Sequence, residues 1–145
     1  MQIDNSFKEE YHHSSFKPMT KQIKIKLNVI DSMLTYAFSS HPRESILLLR
    51  GKIKKNTIEI ESVMIPPLSI HGESFSSFPM HMLPLDSSII GTAHSHPSGL
   101  VKPSLEDLLN CYGMIMAIVG YPYQSERDIK MFNREGDELS FIIEK

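Results

Sequence analysis

The sequence lacks the means to form an intrachain disulfide, because its 145 residues contain a single cysteine, Cys111. One cysteine excludes a disulfide-rich secreted scaffold and a structural zinc site built mainly from thiolates. It suits a reducing compartment, and we therefore expect a cytoplasmic protein. A chain of this length buries roughly two-thirds of its unfolded surface, so one domain can be stable without disulfides.

Long apolar runs and a strong charge of one sign are also missing. The longest apolar run, Met114–Val119, is much shorter than the roughly 18 residues that span a membrane. The first 16 residues have no apolar centre of the kind that a signal peptide requires. Basic residues number 15 and acidic residues 17, for a net charge of −2. We expect a soluble protein with no membrane and no nucleic-acid partner.

The chain divides into a polar N-terminal extension, residues 1–20, and one domain, residues 21–145. Strict alternation of polar and apolar residues from Lys21 to Val29 predicts a strand. Apolar residues then recur at helical spacing up to Phe38, and Pro42 predicts the end of that helix.

The rest of the domain alternates strands and helices irregularly. Strands are predicted at residues 45–49, 58–63, 89–94, 114–121, 129–133 and 139–143, and a helix from Ser104 to about Tyr112. A turn is expected at residues 135–137, and a long irregular loop at residues 66–77. The pattern predicts an α/β fold with a mixed sheet and helices packed on its faces.

The residues that carry chemistry begin with His94 and His96, at the end of a predicted strand. Residues two apart on a strand share a face, so both imidazoles can converge on one ion. Asp107, in the first turn of the next predicted helix, can fold back as a third ligand. Two histidines, one carboxylate and an open fourth position are typical of a catalytic zinc site.

A zinc site of this kind makes a nucleophile available at neutral pH, because zinc lowers the pKa of bound water to roughly 7. Hydrolysis then needs a base for the proton and a donor for the developing oxyanion. Glu44, directly before a buried apolar run, is the best candidate for the base. Ser104 is the best candidate for the donor.

These residues resemble the JAMM/MPN-plus metalloprotease family. The resemblance lies in His94–Pro97, the seven-residue spacing from Pro97 to Pro103, the sequence Ser104–Asp107 and the upstream Glu44. It extends to residues 41–51, 91–93 and 117–122, which are similar to short single-domain archaeal and bacterial members. It covers roughly residues 21–145, and the compact form suggests an archaeal source.

The resemblance implies a mainly antiparallel sheet with the layering of cytidine deaminases. It implies zinc held by His94, His96 and Asp107, proton transfer by Glu44, and an intermediate stabilised by Ser104. The substrates would be ubiquitin-like modifiers and their conjugates, cut after the modifier's carboxyl terminus, as in deubiquitinases. The long insertions of the eukaryotic chain-specific enzymes are absent, so their linkage selectivity is not implied.

Two other functions remain open at this point. Some bacterial relatives trim an amino acid from the end of a sulfur-carrier protein, and the same five residues would serve that reaction. A non-catalytic MPN scaffold is the alternative of another class, although such modules typically lack ligands that this chain has. Nucleotide deamination is discarded, because the Pro-Cys-x-x-Cys segment it expects is absent.

Several of these residues also have ordinary structural interpretations. Ser104 and Asp107 have the spacing of a helix capping box, and both roles can coexist. Glu44 alone would be read as a solvated carboxylate. Cys111 lies four residues after Asp107, but inert packing is the stronger expectation. Ser95 faces away from the histidines, which suggests a supporting or backbone-bonding role.

Two further expectations concern the surroundings of the site. His41 is expected to interact with the carbonyl groups at its helix end, and not with metal. The segment Ser76–Leu83 is a candidate edge strand for an extended modifier tail, and Phe78→Pro should then raise KM strongly.

Overall fold

The structure, a computed structural model, describes residues 21–66 and 86–145. Within these ranges the chain forms eight strands and two α-helices. The strands are β1 (Gln22–Lys26), β2 (Ile46–Ile53), β3 (Thr57–Met64), β4 (Ile89–His96), β5 (Ile115–Gly120), β6 (Ile129–Phe132), β7 (Glu138–Leu139) and β8 (Phe141–Glu144). The helices are α1 (Leu27–Ser40) and α2 (Leu105–Leu109), and a 3-10 turn spans Glu126–Asp128.

The strands form one mixed sheet in the order β7-β6-β5-β4-β2-β3-β1-β8. The β2–β3, β2–β4, β5–β6 and β6–β7 pairs are antiparallel, whereas β1–β3, β1–β8 and β4–β5 are parallel. The α/β class and the mixed, mainly antiparallel sheet are therefore confirmed.

The two edges of this sheet are joined by one residue of chain. Strand β7 lies at one end of the strand order and β8 at the other, yet only Ser140 separates them in sequence. The sheet must therefore curl until its edges approach each other. Leu139 and Phe141, one from each edge strand, pack against the same core.

Helix α1 fills the concave side of the curled sheet. Its buried residues recur at helical spacing and pack against apolar side chains from β1 to β6; they are Val29, Ile30, Met33, Leu34 and Ala37. Smaller apolar clusters occupy the opposite face, one of them around Met116, Ile118 and Phe132. Helix α2, which buries none of its residues, lies beyond β4 along the chain.

Four predictions differ from the observed elements by more than two residues or in the number of strands. Strand β2, predicted at residues 45–49, spans Ile46–Ile53. Strand β1 ends at Lys26, because Leu27 already belongs to α1 and the helical period overrides the alternation. The predicted helix from Ser104 to Tyr112 is only the five residues of α2. The single strand predicted at residues 139–143 is divided into β7 and β8, which lie at opposite edges of the sheet and pair with β6 and β1. The turn at residues 135–137 lies between β6 and β7, as predicted.

Some predictions lie outside the described residues. These are the N-terminal extension at residues 1–20, most of the loop at 66–77, and the edge strand Ser76–Leu83 with Phe78. Within the described ranges, none of the helices combines the length and apolar composition that a membrane crossing requires.

Candidate metal centre

The two histidines lie at the carboxyl end of the central strand β4. His94 is buried and His96 half-buried, and the parallel register aligns them with Ile118 and Gly120 of β5. They face away from α1, because the aligned Ile118 belongs to the cluster on the opposite face. The spacing of two residues therefore places both imidazoles on one face, as predicted.

Helix α2 brings Asp107 to these imidazoles. Oδ2 of Asp107 lies 3.1 Å from Nε2 of His96, and Oδ1 lies 3.7 Å from Nδ1 of His94. The capping box orients the carboxylate: the Ser104 N–H donates to Oδ2 at 2.8 Å, and the Asp107 N–H donates to Ser104 Oγ at 3.0 Å. The predicted capping box is therefore present, and it holds the Asp107 carboxylate beside the two imidazoles.

In each imidazole, the nitrogen that does not face Asp107 makes a hydrogen bond to another group. Nδ1–H of His96 donates to the carbonyl oxygen of Leu100 at 2.9 Å, so Nε2 is the nitrogen turned toward Asp107. Nε2 of His94 lies 3.1 Å from Oγ1 of the buried Thr92, so Nδ1 is turned toward Asp107. Metal-binding histidines are typically held in this way through their second nitrogen.

Burial and charge move the pKa values of the three side chains in different directions. Burial lowers the pKa of His94 to about 4, although the charge of Asp107 opposes this. The hydrogen bond to Asp107 raises the pKa of His96. Burial acts to raise the pKa of Asp107, but its hydrogen bonds with His96 and Ser104 outweigh this and hold it at about 2. A carboxylate is therefore present at neutral pH.

The donor set fits zinc, although the three side chains contact one another directly. Among the described residues, no three His, Cys, Asp or Glu side chains form a ready-made ligand cluster. Ligands bound about 2.0–2.1 Å from a tetrahedral zinc lie about 3.3 Å from each other. The observed separations of 3.1 and 3.7 Å are near that value but end on different oxygens of Asp107, so the fit to zinc rests on the chemistry of the donor set. Two imidazoles and one carboxylate are also a donor set that zinc prefers.

Glu44 lies beside this cluster at the start of β2. Ile46 pairs with His94, and the Ser95 N–H donates to the Ser45 carbonyl oxygen at 2.9 Å. Continuing this antiparallel register places Glu44 opposite His96. Glu44 is exposed, and its charge contributes to the raised pKa of His96. The structure thus brings all five predicted site residues to one end of β2, β4 and α2.

His41 adopts the structural role expected of it, with one addition. The His41 N–H donates to the carbonyl oxygens of Ala37 and Phe38 at the end of α1, as predicted. Its ring has a role that the sequence did not indicate: Nδ1 lies 3.0 Å from the hydroxyl of Tyr123, and the ring stacks on Tyr121.

Cys111 packs where the inert interpretation places it. It lies beyond the end of α2 and contacts the apolar cluster of Met116, Ile118 and Phe132. Burial raises the pKa of its thiol, so the thiolate that a metal would require is disfavoured.

Sequence reasoning missed one residue of the site, Thr92. Its only signal is the spacing of two residues before His94, which places both on the same face of β4. Its hydroxyl is the contact that turns His94 toward Asp107.

Comparisons with known proteins show the family to which the chain belongs. Residues 26–143 match the family described as prokaryotic homologs of the JAB domain, and the chain belongs to that family. A probable metalloprotease from Haloferax volcanii is 27% identical over 122 residues, which cover 79% of this chain and 75% of that protein.

Solved structures show the same fold. A JAB1/MPN domain protein from Archaeoglobus fulgidus matches with a TM-score of 0.63 and 31% identity, over 84% of this chain and 99% of that one. A structure described as JAMM, a metalloprotease-like zinc site in the proteasome and signalosome, matches with a TM-score of 0.61 and 29% identity, over 86% of this chain and 100% of that one. The chain is therefore a short member of the JAMM/MPN family, whose relatives include a probable metalloprotease.

Proposed function

We propose that this protein is a zinc-dependent isopeptidase that hydrolyses the bond after the carboxyl terminus of a ubiquitin-like modifier. The observation that carries the proposal is the convergence of His94, His96 and Asp107, with Glu44 placed opposite His96 by the strand register. The metalloprotease-like relatives support the reaction type. The modifier and its lysine-linked targets are the substrate class that the family resemblance implies.

Different residues of the chain would bind zinc and transfer the proton during hydrolysis. His94, His96 and Asp107 would hold zinc, which when bound supplies a Lewis acid that activates water and polarises a carbonyl group. Glu44 is exposed beside His96, where its carboxylate can take a proton from the attacking water and pass it to the departing lysine amine.

Ser104 can donate a hydrogen bond to the oxyanion, because in the helix cap its hydroxyl oxygen is used only as an acceptor. Its oxygen accepts the Asp107 N–H, but a hydroxyl can donate its own hydrogen at the same time. Ser104 is also exposed, so a substrate carbonyl can reach it. A donor at this position would stabilise the negative charge that develops on the scissile carbonyl oxygen.

Compartment and partners follow from the same proposal. A cytosolic enzyme suits the single, half-buried Cys111, which offers no pair for an oxidising compartment. Folded modifier conjugates are proposed as the partners, and neither nucleic acid nor membrane is proposed as a partner.

The decisive experiment is cleavage of an isopeptide-linked ubiquitin-like conjugate by zinc-loaded protein, followed by intact-mass spectrometry. We expect release of the modifier with its carboxyl terminus intact, and a loss of at least about 100-fold in Glu44→Gln, the range for a general base. Glu61→Gln is the matched control, because it makes the same substitution outside the proposed site, on β3 beside Lys52. Equal cleavage by Glu44→Gln would show that Glu44 is not the base.

The same mass measurement separates the alternatives. A carrier protein shortened by one amino acid, with the conjugate intact, would replace isopeptide cleavage by carrier trimming. If the protein takes up no zinc and cleaves neither substrate, the result would contradict the proposed enzymatic function and favour a non-catalytic MPN scaffold.

A further inference from the structure

Two buried serines join the strand that carries the histidines to the residue beside Glu44. Ser95 lies between His94 and His96, and Ser45 directly follows Glu44. Oγ of Ser95 accepts the Ser45 N–H at 2.7 Å and the Ser45 hydroxyl at 2.9 Å. Both serines are buried, with 2% of Ser95 and 9% of Ser45 exposed.

The hydrogen bonds between Ser45 and Ser95 depart from those of an ordinary antiparallel pair. In a hydrogen-bonded pair, each residue donates its N–H to the carbonyl oxygen of the other. Here the Ser95 N–H does donate to the Ser45 carbonyl, but the Ser45 N–H is taken by the Ser95 hydroxyl. A side chain thus holds the peptide that links Glu44 to Ser45, directly before β2.

We propose that Ser95 is a positioning residue that acts through this peptide to hold the Glu44 carboxylate opposite His96. The inference rests on the proposed function, because it concerns the same reaction. Its physical basis is that Ser95 constrains the positions of both the two histidines and the base. The backbone of Ser95 fixes the two histidines, and its hydroxyl fixes the backbone of the base. Displacement of a reacting group by about 1 Å can reduce a rate by about 100-fold.

Ser45 provides a matched control for this role. Ser45→Ala removes the bond between the two hydroxyls but leaves the Ser45 N–H bonded to Ser95 Oγ. Ser95→Ala removes both bonds and leaves the buried N–H unpaired. A network that only stabilises the fold would lower the stability of the variants without lowering kcat, whereas positioning of Glu44 requires that Ser95→Ala alone lower kcat.

The test measures kcat, KM and zinc affinity for zinc-loaded wild type, Ser95→Ala, Ser45→Ala and Ser95→Thr. Loss of a group that orients a catalytic residue typically costs about 10–100-fold. We expect Ser95→Ala to lower kcat by that factor, with KM and zinc affinity within about threefold of wild type. Ser45→Ala should remain within about threefold of the wild-type kcat, and Ser95→Thr, which restores the hydroxyl, should recover most of the loss.

A second readout does not depend on activity. Amide hydrogen exchange at Ser45 should be faster in Ser95→Ala than in Ser45→Ala, because only the former removes the acceptor of that N–H. If Ser95→Ala does not fold, Ser95→Cys replaces it, since a thiol fills a similar space and accepts hydrogen bonds only weakly.

The failures of the two proposals are distinguishable. Wild-type protein that binds zinc but cleaves no conjugate would contradict the proposed function, while the exchange at Ser45 still tests the contact. An active wild type with an unchanged kcat in Ser95→Ala, or equal losses in Ser95→Ala and Ser45→Ala, would overturn the positioning role. So would a loss in Ser95→Ala that is fully explained by weaker zinc binding.

Discussion

At the scale of single residues, Asp107 joins two functions that are separable elsewhere in the chain. It is the third residue of a capping box and the carboxylate between two imidazoles. Asp128 occupies the same place in a second capping box, with Ser125, where its carboxylate accepts the backbone N–H groups of Gln124 and Ser125. A comparison of variants at Asp107 and Asp128 therefore separates the effect of losing a helix cap from the effect of losing a proposed zinc ligand.

Asp107→Asn should therefore weaken zinc binding while Asp128→Asn should not. Loss of a direct ligand is expected to cost at least about 100-fold in affinity, the upper end of what loss of an orienting partner costs. Competition with a chromogenic chelator measures both variants under the same conditions. Similar affinities in the two variants would show that Asp107 serves only the helix.

At this scale the sequence indicated that His94 and His96 share one face of a strand, but it did not indicate the contacts around them. The i and i+2 spacing was enough to place His94 and His96 on one face, because strand periodicity is local. The contact of Ser95 with Ser45 could not be predicted, since it depends on the register between strands far apart in sequence. The same holds for the contact between His41 and Tyr123.

At the scale of elements, the pairing of β4 with β5 determines where the histidines lie. Gly91 opens this pairing opposite Ile115, and a Cβ atom there would overlap the Ile115 carbonyl oxygen. The close backbone approach therefore requires glycine at this position.

Gly91→Ala should destabilise the protein by more than about 2 kcal/mol, because the overlapping atom is backbone and cannot rotate away. Ser62→Ala, at an exposed position of β3, should change stability by less than about 0.5 kcal/mol. Urea unfolding at equilibrium measures both. Unfolding midpoints that coincide would contradict the close-packed pairing.

The elements themselves were largely predictable, and their arrangement was not. Alternation and helical spacing located α1 and most strands, because both patterns are read within a few residues. The division at Ser140 was invisible, since apolar residues continue on both sides of it. Which strands are parallel neighbours, such as β1 and β8, follows from packing around α1 and leaves no local pattern.

At the scale of the whole molecule, the candidate metal centre lies apart from the main core. The largest core cluster packs between α1 and the sheet, whereas His94, His96 and Asp107 lie on the other face. The fold should therefore persist without metal, in contrast to small domains that unfold when zinc is removed.

Treatment with a chelator should leave the far-ultraviolet circular dichroism unchanged. Zinc at about 100 times its dissociation constant should add about 2.7 kcal/mol of stability and raise Tm by about 5–10 °C. Asp107→Asn should show no such shift. Loss of the folded spectrum on chelation would mean that the metal is structural.

The curl of the sheet at Ser140 also bears on how the molecule behaves at high concentration. An open sheet presents unpaired N–H and C=O groups along its edges, and these can recruit strands from other chains. Here one edge strand has only two residues, and the other has four and follows it after a single residue. Neither offers a long flat template for a neighbouring chain. The same closure that packs Leu139 and Phe141 against one core thus protects the protein against edge-to-edge aggregation.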